Sequence, residues 1–274
     1  FYYTTRQILI MKLALTTVDA FTTKAFTGNP AAVCLLDQEL SSDQMQAVAM
    51  EMNLSETAFV ARTSDPFSFN LRWFTPILEI DLCGHATLAS AFWMVKAGWA
   101  KTGETIRFQT RSGELLVKSD EDWIEMDFPI IPTQLAKHPF FGNEFFGSKV
   151  LQAAKLNKNW ILELADAAAV ESCEPDFALV KKHSEEGIII TAPGRVPFDI
   201  VSRYFGPGVG INEDPVTGFA HCALMDYWFQ RLGKTVLRAY QASDRGGELH
   251  LEKRDNRVII RGQAVKVLSG EIEF

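Results

Sequence analysis

The sequence predicts an α/β protein of two pseudo-symmetric domains, and three observations carry that prediction. One signature occurs twice. Its first copy reads Arg72-Trp73-Phe74-Thr75-Pro76, then Glu79, Asp81 and Cys83-Gly84-His85-Ala86, with an apolar run to Ala97-Gly98. Its second reads Arg203-Tyr204-Phe205-Gly206-Pro207, then Glu213-Asp214 and Thr217-Gly218-Phe219-Ala220, with an apolar run to Leu232-Gly233. In both, a strand end leads through an acidic loop to a glycine that opens a helix. A chain of 274 residues with 47% hydrophobic composition also has enough core for two medium-sized domains. Two helix N-termini facing each other make a cleft with oriented backbone N–H groups on both sides, suited to an anionic ligand.

Residues 1–10 have no counterpart in the repeat and read as a non-native or mis-set extension, with Met11 as the natural start. The apolar stretch Ile8 to Leu15 is too short for a secretory signal and lacks a small-residue cleavage site. Leu13 to Phe21 alternates as a strand, and Gly28-Asn29-Pro30 marks a tight turn before the apolar run Ala31 to Leu36. Ser41 and Gln44 form a capping box for a helix with Met45, Val48, Ala49 and Met52 on one face. Strand character resumes at Ser55 to Val60, which places Glu56 at a helix-to-strand junction. Strands Phe69 to Phe74 and Arg107 to Thr110 flank a helix His85 to Lys96, and Leu115 to Lys118 closes with Trp123 to Phe128 as a hairpin. Pro129, Pro132 and Pro139 mark a linker, giving domains 11–128 and 129–264. The second half reads as a helix near Phe146 to Leu156, strand Trp160 to Leu164, helix Pro175 to His183 and strand Gly187 to Thr191. The signature strand, a helix His221 to Arg231, and strands near Leu249, Val258 and Val265 follow.

A net charge of −7 without any basic segment argues against a nucleic-acid partner. No window reaches the roughly 20 apolar residues of a membrane span. Cys34, Cys83, Cys173 and Cys222 lie far apart with no CxxC pair, so they read as reduced thiols in a cytoplasmic protein.

Several stretches resemble the PhzF-like family, named for a phenazine-biosynthesis isomerase. They are Asp19-Ala20-Phe21, Phe26-Thr27-Gly28-Asn29-Pro30-Ala31-Ala32-Val33, Asn53-Leu54-Ser55-Glu56-Thr57-Ala58-Phe59-Val60, and Phe74-Thr75-Pro76 with Asp81-Leu82-Cys83-Gly84-His85-Ala86-Thr87. Glu213-Asp214-Pro215-Val216-Thr217-Gly218 and Ser243-Asp244-Arg245-Gly246-Gly247 complete the set. The resemblance, from about Met11 to the C-terminus, implies the diaminopimelate-epimerase fold. Each domain is then a curved sheet or barrel wrapped round a central helix, with the active site between them. It further implies a homodimer, no cofactor, and a C-terminal strand at about 265–274 returning to the first domain.

The epimerase branch of that fold uses a cysteine before each helix-opening glycine. Here Cys83 precedes Gly84 but Thr217 precedes Gly218, and a hydroxyl is far too weak a base to replace the second thiolate. Cys83 therefore reads as a small packed residue at a helix start. Position by position, Glu56, His85 and Asp214 match the family's isomerase residues. A carboxyl group such as Glu56 suits a proton shuttle because both of its protonation states can be reached in one cycle. Asp214 is placed to accept a hydrogen bond or orient a partner, and His85 to donate one, with the helix dipole favouring its neutral form. Asn29, Gly84, Gly218 and Phe219 are the expected substrate-binding residues. Phe219 departs from the pattern, which commonly has a small Ser there. Metal held by Cys83, His85, His221 and Cys222 is not expected, because His221 and Cys222 are adjacent and project differently, and neither is a Cys-His hydrolase, because Cys83 and His85, two apart, do not readily present thiol and imidazole to each other. The expected function is a cofactor-independent isomerase of a small carboxylate-bearing metabolite, and the alternative is a binding or interaction protein that has lost turnover.

Overall fold

The computed structural model describes residues 11–274; the reading of residues 1–10 lies outside them. Among the described residues, eighteen strands form one continuous sheet, and the hairpin Glu144–Phe145 with Ser148–Lys149 stands apart. From one sheet edge, hydrogen-bonded neighbours run Ala264–Glu273, Lys12–Ala20, Asn29–Leu36, Glu56–Arg62, Ser68–Phe74, Thr105–Thr110, Gly113–Asp120 and Trp123–Pro129. From the other edge they run Gln134–Leu135, Gln152–Leu156, Asn159–Glu163, Ile188–Pro193, Ile200–Gly206, Val236–Gln241, Gly247–Arg254 and Arg257–Gly262. The two series repeat the same alternation of parallel and antiparallel pairs. They join where Trp123–Pro129 pairs antiparallel with Arg257–Gly262, and Met126 faces Ile260 across the seam. Those two residues hold the same place in each series, so a pseudo-twofold axis passes between them.

Each half wraps a helix. In Gly84–Lys96 the run His85 to Ala91 is buried without interruption, which a one-sided surface helix cannot be. The helix touches strands Lys12–Ala20, Asn29–Leu36, Glu56–Arg62, Gly113–Asp120, Trp123–Pro129 and Ala264–Glu273. Its counterpart, Gly218–Leu232, buries Ala220 to Met225 with Tyr227 and Trp228, and ends at Gly233 in the left-handed conformation. Leu88, Phe128, Leu224 and Trp228 belong to one buried cluster, so the halves share a core. Burying each such side chain contributes about 1.5–3 kcal/mol.

Outside this core, helix Ser42–Met52 carries the expected Ser41–Gln44 capping box and buries Met45, Val48 and Ala49. The helix expected near Phe146 to Leu156 is not formed. Phe146 and Gly147 both take positive φ, and Gln152–Leu156 is a strand that turns at Asn157, φ 45°, to pair with Asn159–Glu163. Ala153 and Leu156 sit three apart and imitate helical spacing, but the tight turn selects a hairpin. The short helix Ala167–Glu171 and the strands Ile211–Asp214 and Val236–Gln241 were not foreseen from the sequence.

Candidate active site

The duplicated signature builds two matching entrances. Arg72 grips Glu79 through both carboxylate oxygens at 2.7 Å each, and Arg203 grips Glu213 at 2.7 and 2.9 Å. These paired forks tie a short strand to each signature strand and fix the loop that enters each helix. The loops end at Gly84 and Gly218, which start their helices and abut: a methyl carbon on either would lie 3.5 Å from the other's Cα. Both helix N-termini line one cavity of about 370 Å³ whose wall also holds Glu56, Cys83, His85, Asp214, Thr217 and Phe219. The Phe219 ring stays 36% exposed on that wall and does not pack into the core.

Glu56 begins a strand at the cavity, only 7% exposed. Its Oε2 lies 3.0 Å from His85 Nε2, and neither atom has a well-aligned hydrogen bond among the described residues. They meet as a close, oblique pair. On the other edge of the ring, His85 Nδ1 faces Cys83 Sγ at 3.5 Å and Asn29 Nδ2 at 3.1 Å. Asn29 Nδ2 also donates to Asp214 Oδ1 and to the carbonyl of Val216, each at 2.9 Å. Two obligate acceptors fix the amide's orientation and leave its Oδ1 buried and unpartnered among the described residues. Asp214 Oδ2 accepts from the Thr217 hydroxyl. Gln241 braces this corner, donating to the Asp214 carbonyl at 2.7 Å and accepting from the Thr217 N–H at 2.9 Å.

The charges follow from these contacts. Burial pushes Asp214 up to about 6, and the Glu56 carboxylate adds to the rise while His85, Thr217 and Asn29 resist it. At His85 burial works against the charged ring, while a Cys83 thiolate or the Glu56 carboxylate works for it, and the balance lies above the ordinary value; with the thiol protonated near neutral pH, Glu56 is the neighbour that acts there. That direction runs against the sequence expectation of a neutral His85, because the Glu56 carboxylate at 3.0 Å favours the charged ring where the helix dipole disfavours it. A correction concerns Cys83 and His85, which do face each other. Burial, helped by Glu56, pushes the Cys83 thiol up to about 11, so at neutral pH it is protonated and not a base.

Glu56, Cys83 and His85 offer ligand atoms within 4.8 Å of one another. The sulfur approaches Nδ1 and the carboxylate approaches Nε2, so they bracket the imidazole on opposite edges instead of converging on one point. That arrangement suits a proton relay better than a tetrahedral ligand set. His221, 0% exposed and bonded through Nδ1 to the Thr217 carbonyl, is pushed down to about 4 by burial and is a neutral structural residue.

The pseudo-twofold axis exposes where the halves differ. Thr57 lies opposite Phe74 and Ile188 opposite Phe205, so Glu56 and Gly187 hold equivalent places. A side chain at Gly187 has no room: its Cβ would lie 2.5 Å from the Phe205 carbonyl and 2.7 Å from the Tyr204 ring. Beside Gly187, Glu186 and Tyr204 line the cavity. The sequence reading missed both, and also Gln241. The Tyr204 hydroxyl, against Trp73 in the first copy, was the available signal.

The sequence profile of the phenazine biosynthesis-like family, PhzC-PhzF, matches residues 18–270. The chain belongs to this family. An uncharacterized isomerase of Halalkalibacterium halodurans is 43% identical over 267 residues, spanning 96% of this chain and 99% of that protein. A crystal structure of a PhzF-family protein from Enterococcus faecalis matches with a TM-score of 0.88 at 44% identity, covering 96% of this chain and 99% of that one. A hydroxyproline epimerase from Agrobacterium vitis shares the fold alone, with a TM-score of 0.61 at 8% identity over 96% of this chain and 93% of its own. This PhzF-family member is thus an isomerase with a two-domain epimerase-like fold. Among its described residues no helix is long and apolar enough to cross a membrane.

Proposed function

We propose that the protein is a cofactor-independent isomerase of a small carboxylate-bearing metabolite, with Glu56 as the proton shuttle. The observation that carries this reading is the buried Glu56–His85 pair at 3.0 Å, both partners on the wall of the cavity that receives two helix N-termini. The substrate carboxylate lies against the first-turn N–H groups at Gly84 and Gly218. The Glu56 carboxylate takes a proton from one carbon, the electron pair shifts along the adjacent double bond, and the same carboxyl returns the proton to a second carbon. One C–H bond breaks and one forms, so no electron acceptor is needed. His85, charged, stabilises the Glu56 carboxylate and the negative charge that develops on the substrate. Asp214 and the Val216 carbonyl anchor the Asn29 amide beside the ring.

The test is hydrogen exchange with solvent. Incubated in D₂O with candidate unsaturated or cyclic acids, the wild-type protein should place deuterium on a carbon of the true substrate, and Glu56→Gln should lower that rate by roughly 10²-fold or more. Near-wild-type exchange in Glu56→Gln would remove Glu56 from this role.

A second reading, a binding protein that has lost turnover, draws on the exposed Phe219 ring, which fills space at the cleft. It is favoured if acids bind to the wild type without any exchange. The proposal also places the protein in the cytosol as a homodimer. Its four cysteines are free and buried, and the edge strand Ala264–Glu273 leaves Leu268 52% exposed.

A further inference from the structure

We infer that Glu186 is a specificity-determining residue, one that selects substrates with a cationic hydrogen-bond donor at the end remote from the carboxylate and rejects dicarboxylates. The inference rests on the proposed isomerase reading and concerns the part of the same cavity wall that the second half supplies. Glu186 immediately precedes Gly187, the place equivalent to Glu56, so it enters the cavity from the half that lacks the shuttle.

Its carboxylate is held in place. Asn159, fully buried, donates through Nδ2 to Glu186 Oε2 at 2.7 Å, and its Oδ1 accepts from the Tyr204 hydroxyl at 3.0 Å. The backbone is pinned too, since the Glu186 N–H donates to Lys158 and its carbonyl accepts from Gly208. Among the described residues Oε1 has no hydrogen-bond partner, and no Lys or Arg pairs with the carboxylate. A fixed acceptor is thus offered at half-buried depth, where screening by water is reduced.

The charge around the cavity gives this acceptor its consequence. Glu56, Asp214 and Glu186 line it, and His85 is the one basic side chain in the wall, with no Lys or Arg there. The helix N-termini supply attraction for one carboxylate. A second carboxylate would meet Glu186 and be repelled, whereas an ammonium group would complete the unpaired oxygen with a charge-assisted hydrogen bond. The apolar side chains Ile80, Leu82, Ile131 and Ile211 leave the ring or chain between these two poles in an apolar setting.

The test uses unreactive ring acids of one size: cyclohexanecarboxylate, its 3- and 4-amino derivatives, and the 1,3- and 1,4-dicarboxylates, titrated calorimetrically at pH 7.5. The wild type should bind at least one amino acid about tenfold or more tightly than the parent acid, and the dicarboxylates about tenfold or more weakly. In Glu186→Gln, whose amide oxygen still accepts from Asn159, both differences should fall to within about threefold, while the melting temperature and affinity for the parent acid are retained. Should that variant melt early, Asn159→Asp, which repels Glu186 from its place, must disturb the same preference. Parent-acid binding with no preference, or a preference that survives Glu186→Gln, overturns the role of Glu186 and leaves the anion site standing. Failure of every ring acid to bind the wild type overturns the anion site and the Glu186 role together.

Discussion

Asp214 is a carboxyl group that the fold would rather keep protonated, and stability should record this. Its folded pKa of about 6 lies above the ordinary 3.8, so the native state holds an extra proton between those values. The contribution is fully present below pH 3.8 and is lost as pH rises through about 6. Across that window the stability advantage of wild type over Asp214→Asn should shrink by up to about 3 kcal/mol and then flatten above pH 7. Urea unfolding at several pH values measures it, and a gap independent of pH would contradict the burial argument. Such effects mark the limit of reading residues in sequence. Glu56, His85 and Asp214 stood out through the motifs that hold them, yet the pairing of His85 with Glu56 did not, because Glu56 lies 29 positions away (85 minus 56) and meets it only after the sheet forms. Locally the chain offers only a helix start and its dipole. Glu186 was illegible for the same reason, since its partner Asn159, and the Tyr204 that bonds Asn159, come from two separate strands.

At the scale of elements, the helix starts were legible because a glycine and a long apolar run identify them without tertiary help. The strand Gln152–Leu156 was not, because alanines and a lysine suit either state and the deciding turn lies just beyond it. The strand Ile188–Pro193 carries a sharper consequence. Its entrance passes under Tyr204, and the absence of a side chain at Gly187 makes that passage possible. Gly187→Ala should therefore cost about 1–3 kcal/mol by overpacking and displace the Tyr204 ring from the cavity wall. Chemical denaturation gives the loss, and near-UV circular dichroism reports the ring; an unchanged variant would mean that the strand entrance yields easily.

The whole molecule is two copies of one plan joined through equivalent parts, Met126 with Ile260 at the seam and Gly84 with Gly218 at the helix starts. The repeat was visible in sequence; the pairing of its equivalent strands was not, because nothing local in Trp123–Pro129 says that Arg257–Gly262 is its neighbour. Since one buried cluster spans both halves, they should unfold together. Ile260→Ala, at a fully buried seam position, should cost about 2–5 kcal/mol and still give a single transition seen alike by fluorescence and far-UV circular dichroism. A separate early transition of one half would count against a shared core.

The Asn29 amide turns that union into a matter of hydrogen counting. It has two hydrogens and three acceptors within reach, and two of those acceptors, Asp214 Oδ1 and the Val216 carbonyl, belong to the opposite half. While His85 carries both of its protons, Nδ1 needs nothing from the amide and turns to the Cys83 sulfur, so both Asn29 hydrogens bridge the halves. When the ring gives up its Nδ1 proton, that nitrogen becomes a third claimant and one bridge must be shared. The grip between the two halves is thereby tied to a single proton on one imidazole.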